Sequence, residues 1–512
     1  MPARSLLPYL SLAALCLLSL PVASAVSVPA QLTAPLSVDW IFSMDPDPTN
    51  TTTPALRGDR VYLTHLGVVR CLDARTGAEK WNFSADESAS VITSPVPWEN
   101  LIIVGATDAC LYGLDADDGH QVWKRTCAGS ISPDPLIFND LLMVGAEKMV
   151  YAIQPSTGQA TWICSLTSTA KHGPVTDGSM LYFLCEDSSV QCVDAAAGRY
   201  RWRSQFTSGP RTFDPIVARR RVILASGNLV HGIARSSSIA WTRDMPSGVR
   251  ARPTLADDIL FVPCIDGQIY TLYPRSGGLR HDVTLKVEDP VSASPLVTNT
   301  VVAAGTATGL LYLLDRDSGR VQWVYRCIAP EQSPGEAAEF GIYAPLIGGD
   351  GALYCLTGTG DFYRFSASAP DLTGPGFSQL KPQQGAALPG GDPVDITVAV
   401  TDAGTGVEPS SVEATLDGVP VKVTFDLVSG LASLSLATPA DGSHIVKVTA
   451  RDYRGNASST EWSFLTDASL QPPPEERAAT AADRTRASGA RAGAGGGRGG
   501  GRGGGRGGRR GR

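Results

Sequence analysis

An aromatic landmark returns about every forty residues, and this period constrains the fold more than any other feature. The series is Trp40, Trp81, Trp123, Trp162, Trp202, Trp241 and Trp323, with His281 filling the one gap, so the steps are 41, 42, 39, 40, 39, 40 and 42 residues. A Pro that opens an apolar strand keeps the same beat at 54, 95, 135, 174, 215, 253, 295 and 345. A turn of the form Asp-x-x-Ser/Thr-Gly recurs just before the aromatic, as in Asp73 to Gly77 and Asp315 to Gly319. A period of this size marks a supersecondary unit that buries its faces only against copies of itself.

Each unit reads as four short strands. Around Pro95 an inner strand begins, and Leu101 to Gly105 is a near-continuous apolar run, as expected of a strand covered on both faces. Cys110 to Leu114 returns as a third strand, and the turn at Asp115 to Gly119 reverses the chain. Asp and Thr side chains bond nearby backbone N–H groups there, and Gly accepts positive φ. The turn glycines are Gly77, Gly119, Gly158, Gly198 and Gly319. Trp123 then sits in an outer strand, where its large apolar area can pack on the neighbouring sheet. The same role is expected of every Trp in the series, Trp202 included.

Eight such sheets arranged radially bury one another, which predicts an all-β, eight-bladed propeller over residues 26–369. The Trp series leads the Pro series by one strand. The strand around Trp40 should therefore complete the last blade, Tyr343 to Ser366, and close the ring. The repeat Ala-x-Asp-x-x-Thr-Gly-x-x-x-Trp resembles that of the pyrroloquinoline-quinone-like propellers. That superfamily contains quinoprotein alcohol dehydrogenases and the propeller lipoprotein of the outer-membrane β-barrel assembly machine. The resemblance implies the fold and leaves the function open, because the motif is structural in every member.

The remaining chain divides by composition. Residues 1–25 read as a signal peptide, with Arg4, an apolar stretch from Leu6 to Leu20, and Ala23-Ser24-Ala25 before the cleavage point. An exported product is expected: periplasmic, cell-surface or secreted. Residues 370–376 have linker composition, and 377–467 alternate like the strands of a β-sandwich, with a hairpin turn at Asp417-Gly418. The segments 402–407 and 450–457 resemble bacterial immunoglobulin-like modules. Residues 468–512 end in a Gly/Arg-rich tail with nothing to bury, expected to be disordered. The tail carries ten Arg against three acids from Glu475 onward, +7, which leaves residues 26–474 at −15. Behind a signal peptide, the basic tail makes anionic envelope polymer or an acidic protein an expected partner, the propeller face a protein, and the acidic body argues against nucleic acid. No apolar run after the leader is long enough for a transmembrane helix, and a monomer is expected.

No haem, P-loop or hydrolase motif is present, and no two Cys are adjacent as a quinone-dependent dehydrogenase of this superfamily requires. Asp45-Pro46-Asp47-Pro48 reads as an acidic loop. No catalytic, cofactor or metal residues are assigned, so a binding protein is favoured, with a quinoprotein-type oxidoreductase as the alternative. Nine Cys follow the leader; most read as small buried hydrophobes, and Cys185 with Cys192 is the best intrachain disulfide candidate. Residues just before each landmark Pro should line the channel mouth. Asp134, Asp214 and Arg252, with His172 and Arg250, form a charged ring candidate there. The step from Pro295 to Pro345 is 50 residues, and its excess carries Glu339, Phe340 and Tyr343, a candidate recognition loop.

Overall fold

The computed structural model describes residues 32–86, 89–207, 213–280, 283–327, 341–437 and 440–470. The leader, the Gly/Arg tail, His281, Glu339 and Phe340 lie outside the described residues. Among the described residues, Ser37 to Ser366 forms eight four-stranded sheets, and Gly376 to Asp467 forms one of four strands and one of five.

The second blade shows why the sequence folds this way. Strands Val96–Trp98, Leu101–Gly105, Cys110–Asp115 and Gln121–Thr126 pair in that order, each antiparallel to the last. All of Leu101–Gly105 is buried, whereas in the outer strand Trp123 alone is buried. The turn that leads into the outer strand closes on itself. Asp115 Oδ1 accepts the N–H of Asp117 at 2.8 Å, and the Gly119 N–H donates to Asp115 O at 2.9 Å with Gly119 at φ +78°.

That glycine also solves a packing problem. The Trp of one blade lies flat on the turn glycine of the next: Trp40 on Gly77, Trp81 on Gly119, Trp123 on Gly158, Trp162 on Gly198 and Trp241 on Gly277. A Cβ at Gly77 would stand 2.6 Å from the Trp40 ring, so any larger residue would force the blades apart. The indole N–H then donates to the same turn, from Trp40 to Ala74 O, Trp81 to Ala116 O, Trp123 to Pro155 O and Trp241 to Pro274 O, at 2.8–3.2 Å.

Three positions of the series lack the Trp-on-glycine lock: Trp202, His281 and Trp323. Trp202 has no turn glycine to lie on, because the fifth blade's turn, 234–238, is one residue shorter and holds none. Ser237 takes the positive φ there, at 71°. Trp202 is half-buried, and it packs instead on Tyr182 of its own blade, ring centroids 5.8 Å apart, at the edge of the apolar cluster that holds Val222 and Ile233. It keeps the packing on the neighbouring sheet expected of the series, without the turn glycine that seats five of the other Trp. In the sixth blade, where the sequence has His281 in place of Trp, the outer strand among the described residues is Leu285–Lys286, and the Thr284 backbone fills the space over Gly319.

The ring closes as the offset between the two series predicts. Ser37–Ser43 pairs antiparallel with Asp361–Ser366, completing the sheet that holds Ala352–Leu356 and Ile347–Gly349. Gly349 of that last blade packs on Leu56 of the first.

The sandwich is tied to the seam. Its sheets enclose an apolar core that includes Ile396, Val398, Val446, Val448, Trp462 and Phe464. The segment of linker composition is held tightly: Asp371 is buried, and its Oδ2 accepts the Thr405 N–H at 2.7 Å and hydroxyl at 2.8 Å. Arg454 reaches back to Ala367 O at 2.7 Å and Ala369 O at 3.1 Å. The last blade has no Asp-x-x-Thr-Gly turn to cover Trp323, and the 402–407 loop of the sandwich takes its place. Trp323 is 0% exposed and donates to Thr405 O at 2.8 Å.

The nine cysteines are unbridged. Pairing of Cys185 with Cys192 is ruled out by register: Cys185 lies opposite Ala170 and Cys192 opposite Tyr182, and the two thiols enter cores on opposite sides of their blade. The pair the fold does bring into reach is Cys327 and Cys355, which interact inside one buried cluster. In an oxidising refolding buffer the expected intramolecular link is therefore Cys327–Cys355. Peptide mapping of the non-reduced protein checks this, and a Cys185–Cys192 peptide would contradict it.

Candidate functional site at the channel mouth

The residue before each landmark Pro lies just before an innermost strand, or inside it for Gly173 of Ala170–Thr176, and innermost strands touch from the first blade through the fifth and between the sixth and seventh. Six of the residues that precede a landmark Pro, with His172, bond across blade junctions. Ser94 of the second blade donates its N–H to Asp134 Oδ1 at 2.7 Å and its hydroxyl to Asp134 Oδ2 at 2.6 Å. The Thr53 N–H of the first blade in turn donates to Ser94 Oγ at 2.8 Å. Further around the ring, His172 Nδ1 lies 3.2 Å from Asp214 Oδ1, which also receives the Gly173 N–H at 3.4 Å. Arg252 donates to Pro215 O at 3.3 Å. Each of these bonds joins one blade to the next, and together they make one polar rim.

The two carboxylates differ in their electrostatics. Burial, and then the negative charge of Asp214, pushes the Asp134 carboxyl above its usual range. Burial works in the same direction on Asp214, but the His172 hydrogen bond and the Arg252 charge outweigh it and hold that carboxyl low. Asp214 stays ionised at neutral pH, held there by the His172 hydrogen bond and the nearby Arg252 charge. Asp134 is the proton-retaining partner of the two.

Other predicted residues are placed differently. Arg250 contributes through its backbone, donating its N–H to Pro263 O at 3.1 Å. Tyr343 is half-buried beside the bridge between Ile342 and Thr357. Glu339 and Phe340 lie outside the described residues, so the recognition loop is described only at its Tyr343 end.

Two groups among the described residues have the composition of a cation site: Asp115, Asp118 and His120, and Asp371, Asp402 and Asp452. The second was not singled out by sequence, because its members are far apart in the chain and only the docked sandwich assembles them. Its carboxylates already accept N–H groups of Thr405, Gly404, Gly406, Arg454 and Asn456. The 45–48 stretch behaves as a loop: Asp47 Oδ1 accepts the Thr49 N–H and hydroxyl.

A radial ring of sheets locked by Trp on glycine is the quinoprotein-like propeller class. A family profile described as outer membrane protein assembly factor BamB matches residues 37–172, 146–284 and 226–354, so together it spans nearly the whole ring. The chain belongs to that family. It is 33% identical over 352 residues to the outer membrane protein assembly factor BamB of Burkholderia pseudomallei, covering 64% of this chain and 87% of the relative. It is 24% identical over 302 residues to the Yersinia pestis protein of the same name, covering 52% and 74%. Among solved structures, the quinohemoprotein alcohol dehydrogenase of Comamonas testosteroni superposes with a TM-score of 0.51 at 14% identity, over 67% of this chain and 78% of that one. At that identity the likeness is one of fold. No helix among the described residues is long and apolar enough to cross a membrane.

Proposed function

We propose that this chain is an exported, non-enzymatic binding protein whose propeller recognises protein partners in outer-membrane assembly. The observation that carries this reading is the family match across the ring, 37–354, with relatives named as assembly factors. The mouth supports it: Asp134 and Asp214 are engaged by Ser94, Gly173 and His172, so they brace blades and present a fixed pattern of charge. A rigid polar rim suits recognition more than turnover. The quinoprotein-type oxidoreductase reading rests on likeness of fold and repeat.

Two regions are assigned different contributions. The rim and the 326–344 loop supply specific contact. The Gly/Arg tail, at +7, supplies attraction to acidic proteins or anionic envelope polymers that is screened beyond about 8 Å at physiological salt. Replacing Glu339, Phe340 and Tyr343 with Ala is expected to reduce capture of specific partners at every salt concentration. Deleting 475–512 should weaken capture only at low salt. Loss of all capture on tail deletion, with none on loop substitution, would overturn the assignment of recognition to the propeller.

A further inference from the structure

The opposite ends of the mouth-forming strands carry a second feature, between the fifth and sixth blades. A surface cleft of about 550 Å³ is lined by Arg219, Arg221, Asp258, Tyr273, Pro274 and Arg275. Arg221 opens strand Arg221–Ser226, Arg219 lies in the turn just before it, and Tyr273 to Arg275 belong to the turn that receives Trp241.

The repeat itself shows what is unusual here. In the first blade, Arg60 opens the second strand opposite Arg57, as Arg221 opens the second strand of the fifth blade opposite Ala218. Arg60 is answered by the next blade's turn: it donates to Ala116 O and pairs with Asp117 at 2.9 Å. The turn residues correspond through their Trp bonds, since Trp81 donates to Ala116 O and Trp241 to Pro274 O. The position of Asp117 is therefore held by Arg275 in the sixth blade. Where one junction sets a carboxylate against its arginine, this one sets a second arginine.

The remaining acid does not repair the imbalance. Asp258 is taken by Arg219 at 2.7 Å. Arg221 Nε is buried and has no hydrogen-bond partner among the described residues. A buried guanidinium N–H without an acceptor is costly, and a guanidinium fork matches an oxyanion in geometry and charge. Tyr273 forms an apolar wall, 51% exposed, with Arg280 stacked 5.7 Å from its ring centroid.

We propose that this cleft binds an acidic peptide segment of a partner protein, with a carboxylate between Arg221 and Arg275 and an adjacent apolar side chain against Tyr273. The cleft is open to the surface and its volume suits side chains of a short segment. Charge complementarity selects an acidic ligand. The exposed tyrosine favours a peptide over a bare ion. This surface is separate from the channel mouth, so it stands or fails independently of the rim and loop.

The test uses the full chain and a fluorescein-labelled hexapeptide of four glutamates and two phenylalanines, followed by fluorescence anisotropy. Arg275→Asp copies the acid of the second blade. It should satisfy Arg221 internally, leave the melting temperature unchanged or higher, and weaken peptide binding about tenfold or more. Arg75 holds the same turn position in the first blade, where the preceding blade offers Ala352 in place of an arginine. Arg75→Asp makes the same change in net charge and should stay within about twofold. Inorganic phosphate should compete at high concentration. Absence of peptide binding to the unmodified protein overturns the proposal. Equal weakening by both variants does so too, because it would report net charge alone. Phosphate binding without peptide binding would leave a small-anion site and overturn the peptide assignment.

Discussion

Trp323→Ala is expected to destabilise the protein by about 3–5 kcal/mol, the range for removing a fully buried large aromatic. The ring stacks on Tyr325 with centroids 5.8 Å apart and meets Phe365 edge-on at 5.6 Å. Its N–H makes one of the bonds that join propeller to sandwich, to Thr405 O, beside those from Tyr325 to Ala403 O and from Arg326 to Val428 O. The variant should therefore lose two things at once: blade packing and the cap over the seam. Trp123→Ala falls in the same range but removes only a blade-to-blade lock, on Gly158. Limited proteolysis separates the two. Trp323→Ala should release a sandwich fragment at temperatures where Trp123→Ala does not. Asp86→Ala, at an exposed loop, should cost less than about 0.5 kcal/mol, since its bond to Lys124 is a surface ion pair. Equal melting shifts for all three would contradict the Trp-on-glycine account.

Asp402→Asn is expected to stabilise the protein at pH 7.5 by about 1–3 kcal/mol. Burial, opposed by the Gly406 N–H and reinforced by the charges of Asp371 and Asp452, pushes the Asp402 carboxyl up to about 6. A carboxyl raised above its unfolded value holds an extra proton in the folded state between the two values. Its contribution is complete below about pH 4 and is lost as pH rises through about 6. Asn keeps an oxygen for the Gly404 and Gly406 N–H groups and removes the charge. The gain should shrink toward zero by pH 4. Asp371 acts with the opposite sign: burial works to raise it, but the Thr405 hydroxyl and N–H hold it low, so its contribution is lost as pH falls. Removing the Asp402 charge holds Asp371 lower still, so the loss tied to Asp371 stays at the acid end of the series in both proteins. Melting temperatures from pH 4 to 8 give the result directly, and no gain at pH 7.5 would remove Asp402 as the strained group of the junction.

The ring was legible because its lock is local in sequence. A Trp, a turn glycine and a strand-opening Pro recur at fixed spacing, and each has a single packing reason. Trp202 shows the limit of that argument: the Trp keeps the beat, but the neighbouring turn has lost its glycine, and the lock goes with it. His172, Asp214, Asp134 and Arg252 were legible as a group because they stand at or beside one position of the repeat. What escaped was set by contacts between parts that do not repeat. Thr405 covers Trp323 from 82 residues away. Gly376–Lys381 has linker neighbours yet pairs as a strand with Val394–Thr401. Cys185 and Cys192 are close in sequence, but strand register sends them to opposite faces. The arginine cleft emerged only when equivalent turns were compared in space, where Arg275 stands in the place of Asp117.

The role proposed for the propeller is that of a protein-binding assembly factor. Its most direct test is affinity capture with the mature protein from detergent-solubilised envelope of its own cell, with bound proteins identified by mass spectrometry. Enrichment of outer-membrane β-barrel assembly proteins, retained at physiological salt and reduced by substitution at Glu339, Phe340 and Tyr343, is the predicted result. Capture of none of them by the folded protein, or enrichment that survives the substitution and vanishes with the tail, would contradict it.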